Sequence, residues 1–207
     1  MGNDSQNLLG VPQICTTSSS VQNDDDNIAD KYPWYAIRIF CSKQQSILEY
    51  FKDTGLESFI PQEYSDVLDK EEHIRHVLRP VVRNLIFLKK TMEENEMRRI
   101  LTDVPYKISV IRKSRGHSAY YEIPFKQMFE FRVMCNPEIT VRKFLSEDEA
   151  KLKSGAPVFV KFGPLKGLTG KLVRQSKKYY LLKEVPGMAV MIKVSRWCCA
   201  PMENEEK

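Results

Sequence analysis

The sequence lacks the features of membrane-spanning, secreted and disulfide-bonded proteins. None of its apolar runs approaches the ~18 residues that cross a bilayer, and its first thirty residues contain neither the basic segment nor the apolar core of a secretory signal. Its five cysteines include three isolated residues and the adjacent pair Cys198-Cys199, which lacks the two-residue gap of a zinc knuckle. These absences predict a cytoplasmic protein without disulfide bonds, metal ions or membrane contact.

Motifs of catalysis and cofactor binding are also missing. The sequence has no glycine-rich phosphate-binding loop and no nucleophile elbow, and its three histidines form no spaced ligand set with cysteine. His73 and His76 lie three residues apart in a charged segment, where a pair without further ligands is usually solvated. We therefore expect a protein that is not an enzyme and that holds no cofactor.

Charge is distributed unevenly along the 207 residues, whose formal net charge is +5. Residues 1–31 carry a net charge of −4, residues 32–136 a net charge of +3 and residues 137–207 a net charge of +6. Residues 150–202 contain eleven lysines and arginines but one acid, Glu184. A basic segment of this kind attracts polyanions such as nucleic acids, although a solvated basic face without a specific partner is the alternative.

Composition divides the chain into four parts. Residues 1–31 have too little apolar surface to offset the entropy of ordering and are predicted to be a disordered acidic tail. Residues 32–136 are predicted to form a first domain and residues 152–204 a second domain, joined by a polar linker at residues 137–151. The run Ser146–Glu149 within this linker could also form a short capped turn.

The first domain has the pattern β-α-β-β-α-β-(β)-α, which predicts an α+β fold with an antiparallel sheet and helices packed on one face. Trp34–Phe40 predicts the first strand, and the helix after it is predicted to be capped by Ser42 and ended by Gly55. Residues 77–89 predict the longest strand. Pro124 suits a first helical turn and predicts the start of the last helix.

The second domain is predicted to be a small all-β fold. Four short β segments with glycine-rich turns and no helix between them are typical of a small barrel, and they span residues 158–162, 170–174, 179–182 and 189–194. Residues 155–173 (GAPVFVKFGPLKGLTGKLV) resemble a KOW motif, which implies a five-stranded SH3-like β-barrel. A generic barrel with glycines at its corners is the alternative.

Three segments of the first domain resemble the NusG amino-terminal domain. They are Trp34–Arg38 before a helix, Val104–Ile108, and the helix entry Ile123-Pro124. With the KOW motif behind them, the resemblance covers residues 33–203. Residues 82–87 (VRNLIF) stand where general elongation factors have a Phe-Pro-Gly-Tyr segment. This difference, together with the acidic tail, resembles the UpxY antiterminators of capsular-polysaccharide loci.

The resemblance implies a non-catalytic transcription elongation and antitermination factor. Proteins of this family bind the clamp helices of RNA polymerase, disfavour clamp opening and suppress pausing or termination, and the specialised members act on particular operons. We expect a monomer. The alternative is a ribosome- or rRNA-associated KOW binding module, which the basic second domain supports, although such a module would not need the first domain.

The family contacts polymerase with an apolar concave surface, whose matching positions in this sequence are Arg38, Leu85 and Phe87. Leu85 and Phe87 alternate along one strand and therefore point to the same face. An exposed apolar pair could bury the tip of a partner helix, and the alternative is that both are core residues beneath the helices. Trp34 and Tyr35 are expected to be packing residues.

The first helix and nearby loops of the family approach the transcription bubble. The matching positions are Lys43, Gln44 and Gln45, which could contact phosphates or unpaired bases of non-template DNA or nascent RNA; a solvated helix end is the alternative. A second basic group lies in a glycine-containing loop and comprises Arg112, Lys113 and Arg115. We expect operon choice to be made mainly through these first-domain residues.

The KOW barrel of the family binds a ribosomal protein or a termination factor, and in some members RNA. Six basic side chains would form its nucleic-acid-binding surface here: Lys161, Lys166, Lys171, Arg174, Lys177 and Lys178. Tyr179 and Tyr180 could stack on bases, and one of them is expected to face the core because neighbours on a strand alternate. A protein partner or a general electrostatic tether is favoured over specific RNA readout.

Overall fold

The computed structural model describes residues 32–68, 70, 73–114, 118–139 and 141–202. The predicted acidic tail at residues 1–31 and the candidate nucleic-acid contact Arg115 lie outside the described residues. Within the described part of the chain, no helix is both long enough and apolar enough to cross a membrane. The structure is mixed α+β with antiparallel sheets, as predicted.

The first sheet is built from residues 32–110. The strands of this part are β1 (Trp34–Ile39), β2 (Ser58–Phe59), β3 (Gln62–Leu68), β4 (Ile74–Pro80), β5 (Leu85–Lys89) and β6 (Ile108–Val110), and the helices up to residue 139 are α1 (Gln44–Asp53), α2 (Glu94–Asp103) and α3 (Phe125–Met134). Four strands pair in the order β2-β5-β1-β6, and β3 and β4 form a separate hairpin. Every pairing is antiparallel.

The central strands β1 and β5 are buried on both faces, so alternate side chains enter two different cores. Tyr35, Ile37 and Ile39 pack with α1 and α2, whereas Trp34 and Ala36 pack on the opposite face with α3. The prediction that all helices lie on one face is therefore wrong for α3. Its apolar side chains cover the second face because that face of β1 and β5 is equally apolar.

The strand predicted over residues 77–89 is two strands. The strand β4 ends at Pro80, which pairs with Gln62 at the open end of the hairpin, and β5 begins at Leu85. Between them, the Val81 N–H donates to the Pro61 carbonyl at 3.0 Å. Proline supplies no N–H to continue a ladder, so the chain can leave one sheet here and enter another.

Two of the three helix ends predicted from the sequence agree with the structure. Gly55 ends α1 as predicted: it has φ +75, a left-handed conformation that suits glycine, and its N–H donates to the Lys52 carbonyl. Pro124 precedes α3, also as predicted. The predicted cap Ser42 is wrong, because Lys43 occupies the cap position of α1 and no side chain caps it.

The second sheet has six antiparallel strands and is open. Its elements are β7 (Arg142–Ser146), α4 (Glu147–Lys151), β8 (Ala156–Val160), β9 (Thr169–Gln175), β10 (Lys178–Val185), β11 (Met188–Val194) and β12 (Cys199–Pro201), with strand order β12-β8-β9-β10-β11-β7. The four predicted β segments correspond to β8 through β11. The predicted closed barrel is not found, because the end strands β7 and β12 form no ladder with each other in the described residues.

Residues 137–151, predicted to be a linker, contain a strand and a short helix instead. The strand β7 pairs along β11, and Phe144 and Leu145 pack against buried clusters on its two sides. For the polar run Ser146–Glu149, the alternative prediction of a short capped turn is correct. Ser146 accepts a hydrogen bond from the Glu149 N–H, and the Glu149 carboxylate accepts one from the Ser146 N–H, a capping box that starts α4.

Candidate functional site

The three candidate polymerase-binding residues lie together on one face of the first sheet. Arg38 is directly opposite Leu85 in the antiparallel register of β1 and β5, and Ala36 is opposite Phe87. Side chains directly opposite in an antiparallel pair lie on the same face. The sequence-based prediction that Leu85 and Phe87 share a face is therefore confirmed, and Arg38 lies beside them.

This face is covered by the rest of the molecule. Leu85 and Phe87 are 2% and 0% exposed, so the expectation of an exposed apolar pair is wrong. Phe87 lies edge-on to Phe131 of α3, with ring centroids 5.4 Å apart. The same buried cluster includes side chains of the second sheet: Val158, Val160, Leu181, Val185, Met188, Val190 and Ile192. Leu85 and Phe87 are therefore core residues, which was the alternative interpretation of the sequence, and α3 and the second sheet cover them.

The β10–β11 turn lies directly on Leu85. Gly187 in this turn has φ +92, and a Cβ built on it would lie 3.0 and 3.1 Å from the two Leu85 methyl carbons. Real Cβ atoms essentially never approach other heavy atoms more closely than 3.0 Å. A Cβ at residue 187 would therefore be at this limit and would require Leu85 to shift, whereas glycine lets the turn lie on Leu85 without such a shift.

A buried carboxylate joins α3 to the second sheet. Glu130 is 3% exposed, and its carboxylate accepts hydrogen bonds from the N–H and the hydroxyl of Thr169 at 3.2 and 2.8 Å. Lys183 of β10 forms an ion pair with the same carboxylate, and its side chain is 12% exposed. Removing one member of such a pair leaves the other as an uncompensated buried charge, which is strongly unfavourable.

A second carboxylate connects both sheets at the edge of this interface. Glu147 of α4 accepts a hydrogen bond from the Gly187 N–H at 3.0 Å and lies 3.5 Å from a guanidinium nitrogen of Arg38. Lys151 donates to it at 2.7 Å. The Lys151 hydrogen bond is the main cause that lowers the pKa of Glu147, with smaller contributions from Gly187 and Arg38. Of these three partners only Arg38 belongs to the first sheet, so the Arg38–Glu147 contact is the one that connects the two sheets here.

The residues at the start of α1 differ in accessibility. Lys43 and Gln45 are exposed, and Gln45 donates to Glu49 at 3.3 Å. Gln44 is 7% exposed, and its amide donates to the carbonyls of Val82 and Leu85 at 3.1 and 2.9 Å. The prediction that Gln44 contacts nucleic acid is therefore wrong for this structure, because both of its N–H donors hold α1 to the start of β5.

The basic loop and the second sheet present most of the remaining candidates to solvent. Arg112 and Lys113 are exposed, as are Lys161, Lys166, Arg174, Lys177 and Lys178. Lys171 is half-buried and forms an ion pair with Glu184 at 2.9 Å. Tyr180 is 6% exposed, which confirms that one of the two tyrosines faces the core. Tyr179 lies between the guanidinium groups of Arg174 and Arg196.

Two features of these surfaces were not found from the sequence. The Glu130–Lys183 pair has a weak signal, since Glu130 lies between Met128 and Phe131 on the apolar side of its helix and a buried carboxylate needs a partner. Phe162 and Trp197 are 57% and 75% exposed and stack on each other, although they are far apart in sequence. Among the described residues, no group of three or more His, Cys, Asp or Glu side chains could hold a metal ion.

Residues 32–132 match the family described as Transcription termination factor nusG. No curated protein matches the chain. The matched segment contains Arg38, Leu85, Phe87 and the start of α1, and it ends before the second sheet. This part of the chain is therefore NusG-like, which suggests a factor that acts in transcription elongation or termination.

Proposed function

We propose that this protein is a non-catalytic transcription antitermination factor that binds the clamp helices of RNA polymerase through Arg38, Leu85 and Phe87. The observation that carries the proposal is that these three residues share one sheet face within the segment that matches nusG. By holding the clamp closed across the nucleic-acid channel, the bound protein suppresses pausing and termination. The UpxY-like departure at residues 82–87 supports a role in particular operons, those for capsular polysaccharide.

The covered state of this face adds a condition to the proposal. Leu85 and Phe87 lie beneath α3 and the second sheet, so a polymerase helix reaches them only when these elements have moved away. A partner that binds only the uncovered state shifts the population toward it. Each 1.4 kcal/mol that separates the two states reduces the apparent affinity about tenfold. Glu130 connects the second sheet to α3 and Glu147 connects it to Arg38, so the proposal assigns to both contacts a lower apparent affinity for polymerase.

The exposed basic residues of the first part are proposed to contact nucleic acid once the protein is bound. Lys43 and Gln45 at the start of α1, with Arg112 and Lys113 in the loop after β6, are available for phosphates or unpaired bases of non-template DNA or nascent RNA. Gln44 is not part of this set. The second sheet, freed from the first, is proposed to be a KOW module that binds a ribosomal protein, a termination factor or RNA.

Binding to purified RNA polymerase tests the proposal. Lys183→Gln leaves the Glu130 carboxylate without its cation and is expected to favour the uncovered state. A matched control is Lys193→Gln, which removes the same charge from an exposed lysine on the neighbouring strand. We expect Lys183→Gln to bind polymerase at least several-fold more tightly than the wild type, and Lys193→Gln to bind equally. Equal binding by all three proteins would contradict the covering mechanism.

The place of contact is tested by photo-crosslinking. A photoreactive amino acid at Arg38, whose side chain is 54% exposed, is expected to crosslink to the polymerase clamp in the Lys183→Gln background. The same group at Lys52, exposed on α1 at the other face of the sheet, is the control and should not. Capture of ribosomal particles in place of polymerase would instead support the alternative of a ribosome- or rRNA-associated KOW module, which the basic second sheet favours.

A further inference from the structure

Two large aromatic side chains next to the second sheet are exposed to solvent and lie side by side. Phe162 follows β8, and Trp197 lies in the short 3-10 turn Arg196–Cys198 that precedes β12. Their ring centroids are 6.4 Å apart, with planes inclined by 30°. Tryptophan is highly buried on average in folded proteins, so a Trp that is 75% exposed next to an exposed Phe points to a binding surface.

The backbone holds these two rings in place. The strands β8 and β12 pair with Val160 opposite Cys199, and each of these residues is two positions away from one of the two aromatic residues. The Lys161 N–H also donates to the Cys198 carbonyl at 2.7 Å. Because both residues lie in short segments that adjoin paired strands, little loop entropy is lost when a planar group stacks on the rings.

Cationic residues adjoin the two aromatic residues in the sequence and lie over neighbouring rings. Lys161 precedes Phe162, and its ammonium lies 5.8 Å from the ring centroid of Phe159. Arg196 precedes Trp197, and its guanidinium lies 5.9 Å from the ring of Tyr179. Arg174 lies over the same tyrosine at 5.8 Å, so Tyr179 already has two cationic neighbours. Phe162 and Trp197 therefore present larger accessible ring surfaces for a ligand than Tyr179 does.

No carboxylate balances these cations within the described residues. Lys161, Arg174 and Arg196 take part in none of the ion pairs there. Glu184, the one acid among residues 150–202, is held by Lys171. A surface that combines uncompensated cations with open aromatic faces matches a ligand with phosphates and unpaired bases. A duplex fits less well, since its base faces are already stacked on one another.

We propose that Phe162 and Trp197 form a base-stacking platform for single-stranded nucleic acid, with Lys161, Arg174 and Arg196 contacting its phosphates. The inference deepens the nucleic-acid contacts proposed above, but it does not rest on polymerase binding. Stacking tolerates every base, so the platform binds with little sequence preference. It differs from the predicted Tyr179–Tyr180 surface, because Tyr180 is buried and Tyr179 lies between two arginines.

The intrinsic fluorescence of the full-length protein provides the test. The chain has two tryptophans, and Trp34 is 1% exposed, so quenching by a ligand reports on Trp197. The probes are oligouridylate, oligothymidylate and a duplex of about 12 nucleotides, the order of the site size for such surfaces. We expect both single strands to quench and to bind at least tenfold more tightly than the duplex, without polymerase present. A stronger response to one single strand identifies RNA or DNA as the ligand.

Substitutions separate stacking from charge. Because the Trp197 variants lose the fluorescent reporter, their affinities are measured by the fluorescence anisotropy of a dye-labelled oligouridylate. We expect Trp197→Ala to weaken binding roughly five- to a hundredfold, the range for loss of one stacked base, while Trp197→Phe retains most of the affinity. The matched control is Leu152→Ala, which removes an 86% exposed apolar side chain and should change nothing. Lys161→Gln should reduce the slope of log affinity against log salt by about one unit.

Three results would overturn the proposal. The first is unchanged affinity in Trp197→Ala, which would leave only electrostatic attraction. The second is duplex binding as tight as single-strand binding. The third is an oligoglutamate peptide that binds as tightly as oligouridylate and displaces it, because the surface would then be a site for acidic protein segments. All three are measured without polymerase, so failure here is distinguishable from failure of the clamp proposal.

Discussion

Gly187 and Leu85 face each other across the two sheets, so closely that a Cβ at residue 187 would require the Leu85 side chain to shift. A Cβ on Gly187 would lie 3.0 Å from one Leu85 methyl carbon, and the φ of +92 at Gly187 is itself a conformation that suits glycine. Leu85 is a candidate polymerase contact, and Gly187 belongs to the turn that covers it. The absence of a side chain at one position therefore helps to keep a binding face closed.

The first prediction concerns this contact. Gly187→Ala should lower the free energy of unfolding by more than Gly163→Ala, because the new methyl group at residue 187 collides with Leu85. The control has nearly the same strain, since Gly163 has φ +90, but nothing lies within 4 Å of its Cβ position. Each change should cost about 1 kcal/mol for the positive φ, with the collision added for Gly187→Ala. Urea unfolding measures both, and equal losses would contradict the contact.

The second prediction concerns the buried ion pair. Glu130→Gln and Lys183→Met should each destabilise the protein by about 3–5 kcal/mol, because each leaves an uncompensated buried partner. The double variant Glu130→Gln/Lys183→Met removes both charges and should recover much of that loss. A double-mutant cycle in urea is the measurement. If the losses of the single variants simply add in the double variant, the pair does not couple α3 to the second sheet.

The third prediction concerns acid. The pKa of Glu147 in the folded protein lies below its ordinary value of 4.5, chiefly because Lys151 donates to it. The ionised carboxylate therefore stabilises the folded protein at pH values above 4.5, and this contribution is lost as the pH falls through the lower pKa of the folded state. Glu147→Gln should flatten the decline in stability between about pH 5 and pH 3. The control is Asp148→Asn, an exposed neighbour on α4, which should flatten it less.

The fourth prediction concerns Phe87, whose side chain is fully buried. If Leu85 and Phe87 were an exposed pair, Phe87→Glu would abolish polymerase binding and leave thermal stability nearly unchanged, whereas a large loss of stability would identify Phe87 as a core residue. The structure indicates the second outcome, since the ring packs on Phe131 and has 0% exposure. Phe87→Ala should cost about 3–5 kcal/mol, whereas Phe129→Ala, at a ring that is 48% exposed, should cost much less. Thermal unfolding compares them, and similar losses would show that Phe87 is not a core residue.

Short-range patterns in the sequence determined many of the elements. The strand signal of β1, the end of α1 at Gly55, the start of α3 after Pro124 and the four β segments of the second sheet all depend on residues within one or two turns. Local propensity and turn chemistry are sufficient for such features. The shared face of Leu85 and Phe87 also followed from the sequence, because strand alternation is a local rule.

Only the tertiary structure decided what lies on that face. Three features show this: Gly187 covers Leu85, Gln44 is buried against the carbonyls of Val82 and Leu85, and Glu130 pairs with Lys183. The residues that they join are 38 to 102 positions apart in the sequence. No periodicity links such residues, since each contact exists only when separately formed elements pack together. The sequence determined which side chains could bind a partner, and the packing of the second sheet decided whether they are accessible.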